Sequence, residues 1–328
     1  MALEQSLNRA WYGKPKGLLL LLPVEYLYRL VAGLRRRFIR PQVCGAPVIV
    51  VGNISVGGSG KTPVVLAVAQ YCQSRGYKVG IVSRGYGGRA PVYPYLLSAE
   101  STPVEAGDEP YLMYQRSGLP LAVAPDRLAA AKLLVAEQGC DLIVSDDGLQ
   151  HYRLARDIEI LVVDGERGFG NGHCLPVGPL REAVSRAAEI DLKVINGGNS
   201  SISGYTMDLQ GLAAVNIADG EQRPLIHWPS NQRRIHAVAG IGNPQRFFRS
   251  LQLAGFDVIE HAFPDHHPYT AADINFADPC PVLMTEKDAV KCRSFADKQH
   301  WMLPVNGEIA PQFYSELTSR LAKIGLSR

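Results

Sequence analysis

Cysteine is scarce and unpatterned in this chain of 328 residues. The six thiols stand at 44, 72, 140, 174, 280 and 292, with no C-x-x-C pair and no regular spacing. A disulfide framework and a zinc motif are thereby excluded, and the cysteines read as buried or incidental thiols of a reducing compartment. A membrane-spanning run is also missing. Gly17-Leu-Leu-Leu-Leu-Leu-Pro-Val24 is apolar but runs into Glu25 and Arg29, whereas a spanning helix needs about 20 mostly apolar residues. No small-residue cleavage site follows it, so a secretory leader is not expected. Net charge is only +3. Basic residues do not continue from the N-terminal arm into the body, and no aromatic stacking platform interrupts them, which argues against a nucleic-acid partner.

What is present is a globular composition, 46% apolar and 20% charged with 32 Gly and 22 Pro. The length suits two domains or one large one, each with a real core. Charge is unevenly spread. Residues 1–41 carry eight Lys/Arg against Glu4 and Glu25, while the remainder holds 26 basic and 29 acidic residues. A mildly acidic body with a basic arm seeks something anionic. From Pro23 onward, Val24, Leu27, Tyr28, Val31, Leu34 and Phe38 share one helical face, and Glu25, Arg29, Gly33, Arg36, Arg37 and Arg40 line the other. Such a helix suits the interface plane of a membrane, its arginines among anionic headgroups. Packing on the protein's own core is the alternative.

The most informative run is Ser55-Val-Gly-Gly-Ser-Gly-Lys-Thr62. It follows an apolar β-type segment, 47–52, and leads into a helical pattern, 63–74. Strand, glycine-rich loop and helix in that order cradle phosphates, because backbone N–H groups and the positive end of the helix dipole face the anion. Ser55, Val56, Gly57, Gly58, Ser59 and Gly60 form the cradle. Lys61 is placed to reach the outer phosphates and Thr62 to ligate Mg²⁺. Ser55 stands where the usual pattern has Gly, and Gly57 and Gly58 are expected to permit positive φ. The expected cofactors are ATP and Mg²⁺.

Downstream, β-type runs alternate with helical stretches, predicting an α/β fold with a mostly parallel sheet. Ligands bind beyond the carboxyl ends of such strands. After strand 141–145 come Asp146 and Asp147, placed as metal carboxylates, with Asp164 after the next strand as a weaker rival. Arg84 follows strand 78–83 on a glycine loop. Asp108 and Glu109 precede a helix beginning near Pro110, where either serves as an N-cap or as the carboxylate that takes a proton from an attacking hydroxyl. Beyond a Gly/Ser/Asn-rich stretch, a second and smaller α/β unit contains Asp265-His-His267, suited to a proton relay. Thr285-Glu-Lys-Asp288 superficially resembles a guanine-reading motif, but Lys287 is one place too late. The expected division is an arm at 1–41, a nucleotide-binding unit at 42–205, a β-ribbon linker at 206–228 and a smaller α/β unit at 229–328.

The ordered set Ser55–Thr62 with Pro63, Ser83-Arg-Gly-Tyr-Gly-Gly88, Gly107-Asp-Glu109, Asp146-Asp-Gly-Leu-Gln-His151, Arg167-Gly-Phe-Gly-Asn-Gly172, Leu175-Pro-Val-Gly-Pro-Leu-Arg-Glu182, Asp265-His-His267 and Thr285-Glu-Lys-Asp288 resembles the tetraacyldisaccharide 4′-kinase family. The resemblance spans roughly residues 10–295. It implies transfer of the ATP γ-phosphate to the 4′-hydroxyl of a tetraacylated glucosamine disaccharide 1-phosphate, at the cytosolic face of a bacterial inner membrane, between two α/β domains. It implies Lys61 and Thr62 on phosphates and Mg²⁺, Asp146 and Asp147 in the metal and phosphate site, and Asp108 as base assisted by a histidine, His266 before His267. Arg84, Glu109, Gln150, His151 and Glu182 match the rim of the site. The lipid acceptor and an anionic membrane surface are the expected partners, with no obligatory protein partner. Readings from other classes are a membrane-bound ATPase switch and a soluble small-molecule kinase.

Overall fold

The computed structural model describes residue 7 and residues 9–13, 17–198 and 201–326. Lys14 and Lys16 of the expected basic arm, with residues 1–6, lie outside the described residues. Fifteen strands among the described residues form two sheets. The first eight are β1 (Val48–Gly52), β2 (Val79–Ser83), β3 (Tyr95–Leu96), β4 (Leu121–Val123), β5 (Leu142–Asp146), β6 (Ile158–Asp164), β7 (Leu192–Asn196) and β8 (Tyr205–Gln210). Then come β9 (Ala213–Asn216), β10 (Gln222–Pro224), β11 (Arg234–Ala239), β12 (Asp257–Ala262), β13 (Val282–Thr285), β14 (His300–Leu303) and β15 (Asn306–Ile309).

The larger sheet has the order β15-β8-β7-β6-β1-β5-β2-β4-β3. Every pair from β8 to β4 is parallel, and only the edge strands β15 and β3 run antiparallel. Strands β1, β2, β5 and β6 are buried throughout, as the near-continuous Val/Ile/Leu runs of a sheet covered on both faces require. One face is covered by helices Lys61–Ser74, Asp108–Ser117 and Pro311–Lys323, whose Val65, Met113 and Phe313 are fully buried. Helix Arg127–Gln138 covers the other through Leu128 and Leu134.

The smaller sheet has the order β10-β9-β14-β13-β11-β12, with β14, β13, β11 and β12 parallel. Helix Pro244–Leu253 packs Phe247, Phe248 and Leu251 on one face, and Tyr269 and Ile274 lie on the other. The stretch expected as a linker is divided between the sheets. Strand β8 pairs with β7 in the first, whereas β9 and β10 form an antiparallel pair in the second. The chain's last elements also depart from the expected division, which ran the smaller unit from 229 to 328. Strand β15 pairs with β8, and helix Pro311–Lys323 buries Phe313, Leu317 and Leu321 in the core of the larger sheet. The apolar face of that helix has a place to go only there, because both faces of the smaller sheet are already covered.

The N-terminal helix, Leu22–Phe38, lies against the larger unit by its polar side. Glu25 is buried and accepts from His173 Nδ1 at 2.8 Å and from the Cys174 backbone N–H at 2.9 Å. Tyr28 donates to the Arg181 carbonyl, and Arg36 pairs with Glu189. Leu20, Leu27, Leu30 and Phe38 face outward, 85%, 61%, 58% and 73% exposed. No described helix is long and apolar enough to cross a membrane. Glu25, expected on the polar face with the arginines, is thus the anchor of the helix to the body. A carboxylate can be buried there because it receives two donors.

Candidate active site

Parallel register brings the chemistry together. Val51 of β1 pairs with Asp146 of β5, so the loop leaving β1 starts beside the carboxylate that ends β5. Its first residue, Ser55, bridges Leu180 in antiparallel fashion, and the next N–H, of Val56, donates to Pro179 O at 2.8 Å. This stretch is held by a neighbouring loop, which accounts for serine where the common pattern has glycine. Positive φ falls at Gly57 (100°) and Gly60 (85°), not at Gly58 as expected. Gly60 is further confined, because a Cβ there would lie 2.1 Å from Asn196 Nδ2. Two buried amides support the loop. Asn53 Nδ2 donates to Ser59 Oγ at 3.1 Å and Asn196 Nδ2 to Ser59 O at 3.1 Å. Helix Lys61–Ser74 then begins with Lys61 and Thr62, its N-terminus facing the loop.

The two aspartates after the loop's neighbouring strand are in different states. Asp146 is buried. Its Oδ2 accepts from Ser83 Oγ at 2.8 Å, while its Oδ1 has no partner. Burial, with Glu109 and Asp147 nearby, pushes its carboxyl up to about 7. Asp147 sits at φ 45° and receives Arg181 Nη1 on both oxygens, at 3.1 and 3.0 Å. Lys61 Nζ stands 3.6 Å from its Oδ1, and Arg127 holds its carbonyl. Burial would raise the Asp147 carboxyl, but Lys61 and Arg181 outweigh it and hold it below the usual range. The buried, unpartnered oxygen of Asp146, in the same cleft as Thr62, suits a hard cation that takes oxygen ligands. The glycine loop suits a polyphosphate. Asp164 also lines the cleft, its Oδ1 accepting from the N–H groups of Glu166 and Arg167.

On the same unit, Asp108 opens helix Asp108–Ser117, with Gly107 as the N-cap, and meets a residue of the smaller unit 158 positions away. His266 Nδ1 lies 3.1 Å from Asp108 Oδ2, and Lys291 Nζ lies 3.7 Å from the same oxygen. Burial favours the neutral acid, yet the His266 hydrogen bond and the Lys291 charge prevail, so the Asp108 carboxyl lies below its ordinary value. Lys287 Nζ donates to Glu109 Oε1 at 2.9 Å and Asp265 Oδ1 at 3.0 Å, and stands 3.4 Å from His266 Nε2. His267 turns away, toward Asp273 at 3.5 Å and the rings of Phe263 and Tyr269. Among the described residues only Asp147 and His266 are non-glycine residues at positive φ. Such backbone persists where surrounding contacts over-determine it, typically at functional sites.

Of the expected rim, Arg84, Glu109, Gln150, His151 and Glu182 all line one cleft of about 1660 Å³ with Lys61, Thr62, Asp146, Asp147 and His266. Gln150 Nε2 donates to Asn53 O and to Glu182 Oε1, and Tyr152 OH to Glu182 Oε2, so these residues brace the loop as well as lining the cleft. His151 faces Asp126 at 3.5 Å, but burial, with Arg127 close by, lowers its imidazole to about 4 and keeps it neutral near pH 7. Sequence reasoning did not single out Arg127, Arg181, Asn196 or Lys291. Arg181 lies inside the quoted Leu175–Glu182 stretch, and Asn196 ends β7 at the same carboxyl edge, a position that marks it. Lys291 closes the segment that begins at Thr285, one helical turn after Lys287.

A family profile described as tetraacyldisaccharide-1-P 4′-kinase matches residues 18–322. The chain belongs to the tetraacyldisaccharide 4′-kinase family. It is 50% identical over 327 residues to the tetraacyldisaccharide 4′-kinase of Pseudomonas aeruginosa, with 98% of each chain covered. To the tetraacyldisaccharide 4′-kinase of Azotobacter vinelandii it is 48% identical over 330 residues, with 99% of each covered. Among solved structures, it resembles LpxK from Aquifex aeolicus in complex with ATP, with a TM-score of 0.76 and 27% identity over 94% of this chain and 99% of that one. Members of the family are ATP-dependent phosphotransferases of lipid A biosynthesis that act on a hydroxyl group.

The state of Asp146 carries a test by stability. A buried carboxyl whose folded value is about 7, against an ordinary 3.9 or so, keeps its proton when folded while the unfolded chain releases it. Stability from this group is therefore fully present below about pH 4 and lost as pH rises toward 7, by about 1.4 kcal/mol for each unit of displacement. Asp146→Asn carries no such proton. In EDTA, its melting temperature relative to wild type should rise from pH 5 to about pH 7 and then level off. A difference that stays constant with pH would contradict the assignment.

Proposed function

We propose that the cleft transfers the ATP γ-phosphate to the 4′-hydroxyl of a tetraacyldisaccharide 1-phosphate, with Asp108 and His266 serving the acceptor and the β1–helix loop serving the donor. The observation that carries this reading is the 3.1 Å contact between Asp108 and His266, which joins the two units across a cleft lined by Lys61 and Thr62. Phosphoryl transfer asks a protein for alignment and charge neutralisation more than for covalent help. The backbone of Ser55–Gly60 and Lys61 hold the phosphates. Thr62 and Asp146 would hold Mg²⁺, which offsets phosphate charge when bound. Asp147, engaged on both oxygens by Arg181, positions Lys61 rather than ligating the ion directly.

At the acceptor end, the Asp108 carboxylate takes the hydroxyl proton. His266 orients that carboxylate, and its Nε2 side faces Lys287. Lys287 itself is tied to Glu109 and Asp265. Burial alone would weaken its hold on the proton, but those two carboxylates outweigh burial and raise its pKa, so it stays a cation. Arg84, Glu109 and His151 shape the rim on which the sugar and its phosphate rest. The experiment is transfer of radiolabelled γ-phosphate to a tetraacyldisaccharide 1-phosphate in detergent micelles. His266→Ala should lower kcat by about 10²-fold or more, in the range of general acid–base contributions, while His267→Ala stays within about threefold. Equal loss in both variants would remove His266 from its special role. Absence of labelled lipid from folded wild-type protein would sink the whole reading.

The outward apolar side of helix Leu22–Phe38 supports peripheral attachment to the cytoplasmic face of the bacterial inner membrane. Polar docking by Glu25, Tyr28 and Arg36 leaves Leu27 and Leu30, with Leu20 of the preceding turn, free to enter the acyl boundary. The same helix borders the cleft through Val31, Ala32 and Arg35, so an acceptor held by its acyl chains in the bilayer has its sugar at the site. Leu20→Glu/Leu27→Glu/Leu30→Glu should abolish co-sedimentation with phosphatidylglycerol-containing vesicles and leave the melting temperature near wild type. Undiminished co-sedimentation would refute attachment through this helix.

A further inference from the structure

Two arginines tie the larger unit to the smaller one beside the phosphate loop, and the kinase chemistry described above uses neither. Arg246, in the first turn of helix Pro244–Leu253, donates through Nη2 to Asn196 Oδ1 at 2.9 Å. The other end of the same amide, Asn196 Nδ2, donates to Ser59 O at 3.1 Å inside the loop. Arg167, which follows β6 in the larger unit, donates through Nη2 to Gly242 O at 3.0 Å. Gly242 faces the loop directly, since a Cβ on it would lie 3.2 Å from Gly58 N.

The geometry leaves little slack. Asn196 is buried, and its Nδ2 occupies the place that a Cβ on Gly60 would need. Gly197 is equally constrained, because a Cβ there would stand 2.4 Å from Arg246 Nη2. The guanidinium is therefore seated against the backbone at the end of β7. A primary amide fixed by a cation on its oxygen has its N–H₂ aimed in one direction. Here that direction is the Ser59 carbonyl. Removing Arg246 leaves the buried amide free to turn and Ser59 O without an assured donor.

We propose that Arg246 is a positioning residue for the phosphate loop. Through Asn196 it makes the loop's shape depend on the placement of the unit that carries His266. Donor alignment and acceptor activation are then set together: when the smaller unit is seated, both the loop and the Asp108–His266 pair are in place. The inference rests on the reading of His266 as part of the acceptor site, but its structural half, the dependence of the loop on Arg246, stands apart from that reading.

The test compares wild type, Arg246→Ala and Arg246→Lys. In Arg246→Ala, kcat for lipid phosphorylation should fall about tenfold, and KM for ATP should change less than threefold because the loop's own donors remain. Deuterium uptake over residues 53–62, measured without acceptor, should quicken while the global unfolding midpoint holds. Arg246→Lys should restore part of both, keeping the charge but losing the fixed fork. A kcat within twofold of wild type, or unchanged uptake over 53–62, would overturn the proposal. Should the acceptor reading be the one at fault, His266→Ala would remain active while the uptake difference in Arg246→Ala persisted.

Discussion

Parallel register is the constraint on which the site depends. Strands β1 and β5 pair with Val51 beside Asp146, and β6 and β7 end at Asp164 and Asn196 on the same edge. This places a glycine loop, a buried carboxylate and a buried amide within reach of one another before any ligand is considered. Slipping either neighbour by one residue would turn its side chains to the other face of the sheet. Such a slip is opposed by the buried polar residues of these strands, since it would part Asp146 from Ser83 and Glu159 from Arg186.

From that edge, charge is distributed by burial. Of two adjacent aspartates, Asp147 is saturated by Arg181 and lies close to Lys61, while Asp146 keeps a free oxygen in a dry setting. The chain thereby divides the pair into a structural anion and a carboxylate suited to a cation. The second unit completes a separate cluster of opposite charges, in which its Asp265, Lys287 and Lys291 meet Asp108 and Glu109 of the larger unit around His266. That cluster is complete only where the two units meet, whereas the cluster of Lys61, Asp146, Asp147 and Arg181 lies wholly on the larger unit.

Much of this was legible in the sequence, and the reasons differ by element. The buried parallel strands could be placed from their Val/Ile/Leu runs and the turn residues around them. The loop Ser55–Thr62 and the paired aspartates announced themselves by standing just after such runs. The C-terminal return did not. Pairing of β15 with β8 joins residues about 100 apart, and the apolar spacing of helix Pro311–Lys323 does not say which core receives it. The N-terminal helix shows the same limit from the other side. Its two faces could be drawn from residue spacing, but whether Glu25 points outward or into the body depends on His173 and the Cys174 N–H, which only the fold brings near. Asp164 looked like Asp146 by position, and its Asx turn is visible only in the hydrogen bonds. That His266 meets Asp108 while His267 meets Asp273 likewise depends on a backbone at positive φ that no composition rule marks.

The central claim is that Asp108 and His266 act as one unit on the acceptor hydroxyl. A double-mutant cycle on kcat tests it most directly, using Asp108→Ala, His266→Ala and the pair in the labelled-phosphate assay. Residues acting as a unit are strongly non-additive. The account predicts that the double variant is no slower, within about threefold, than the slower single variant. Losses that multiply in full would contradict it.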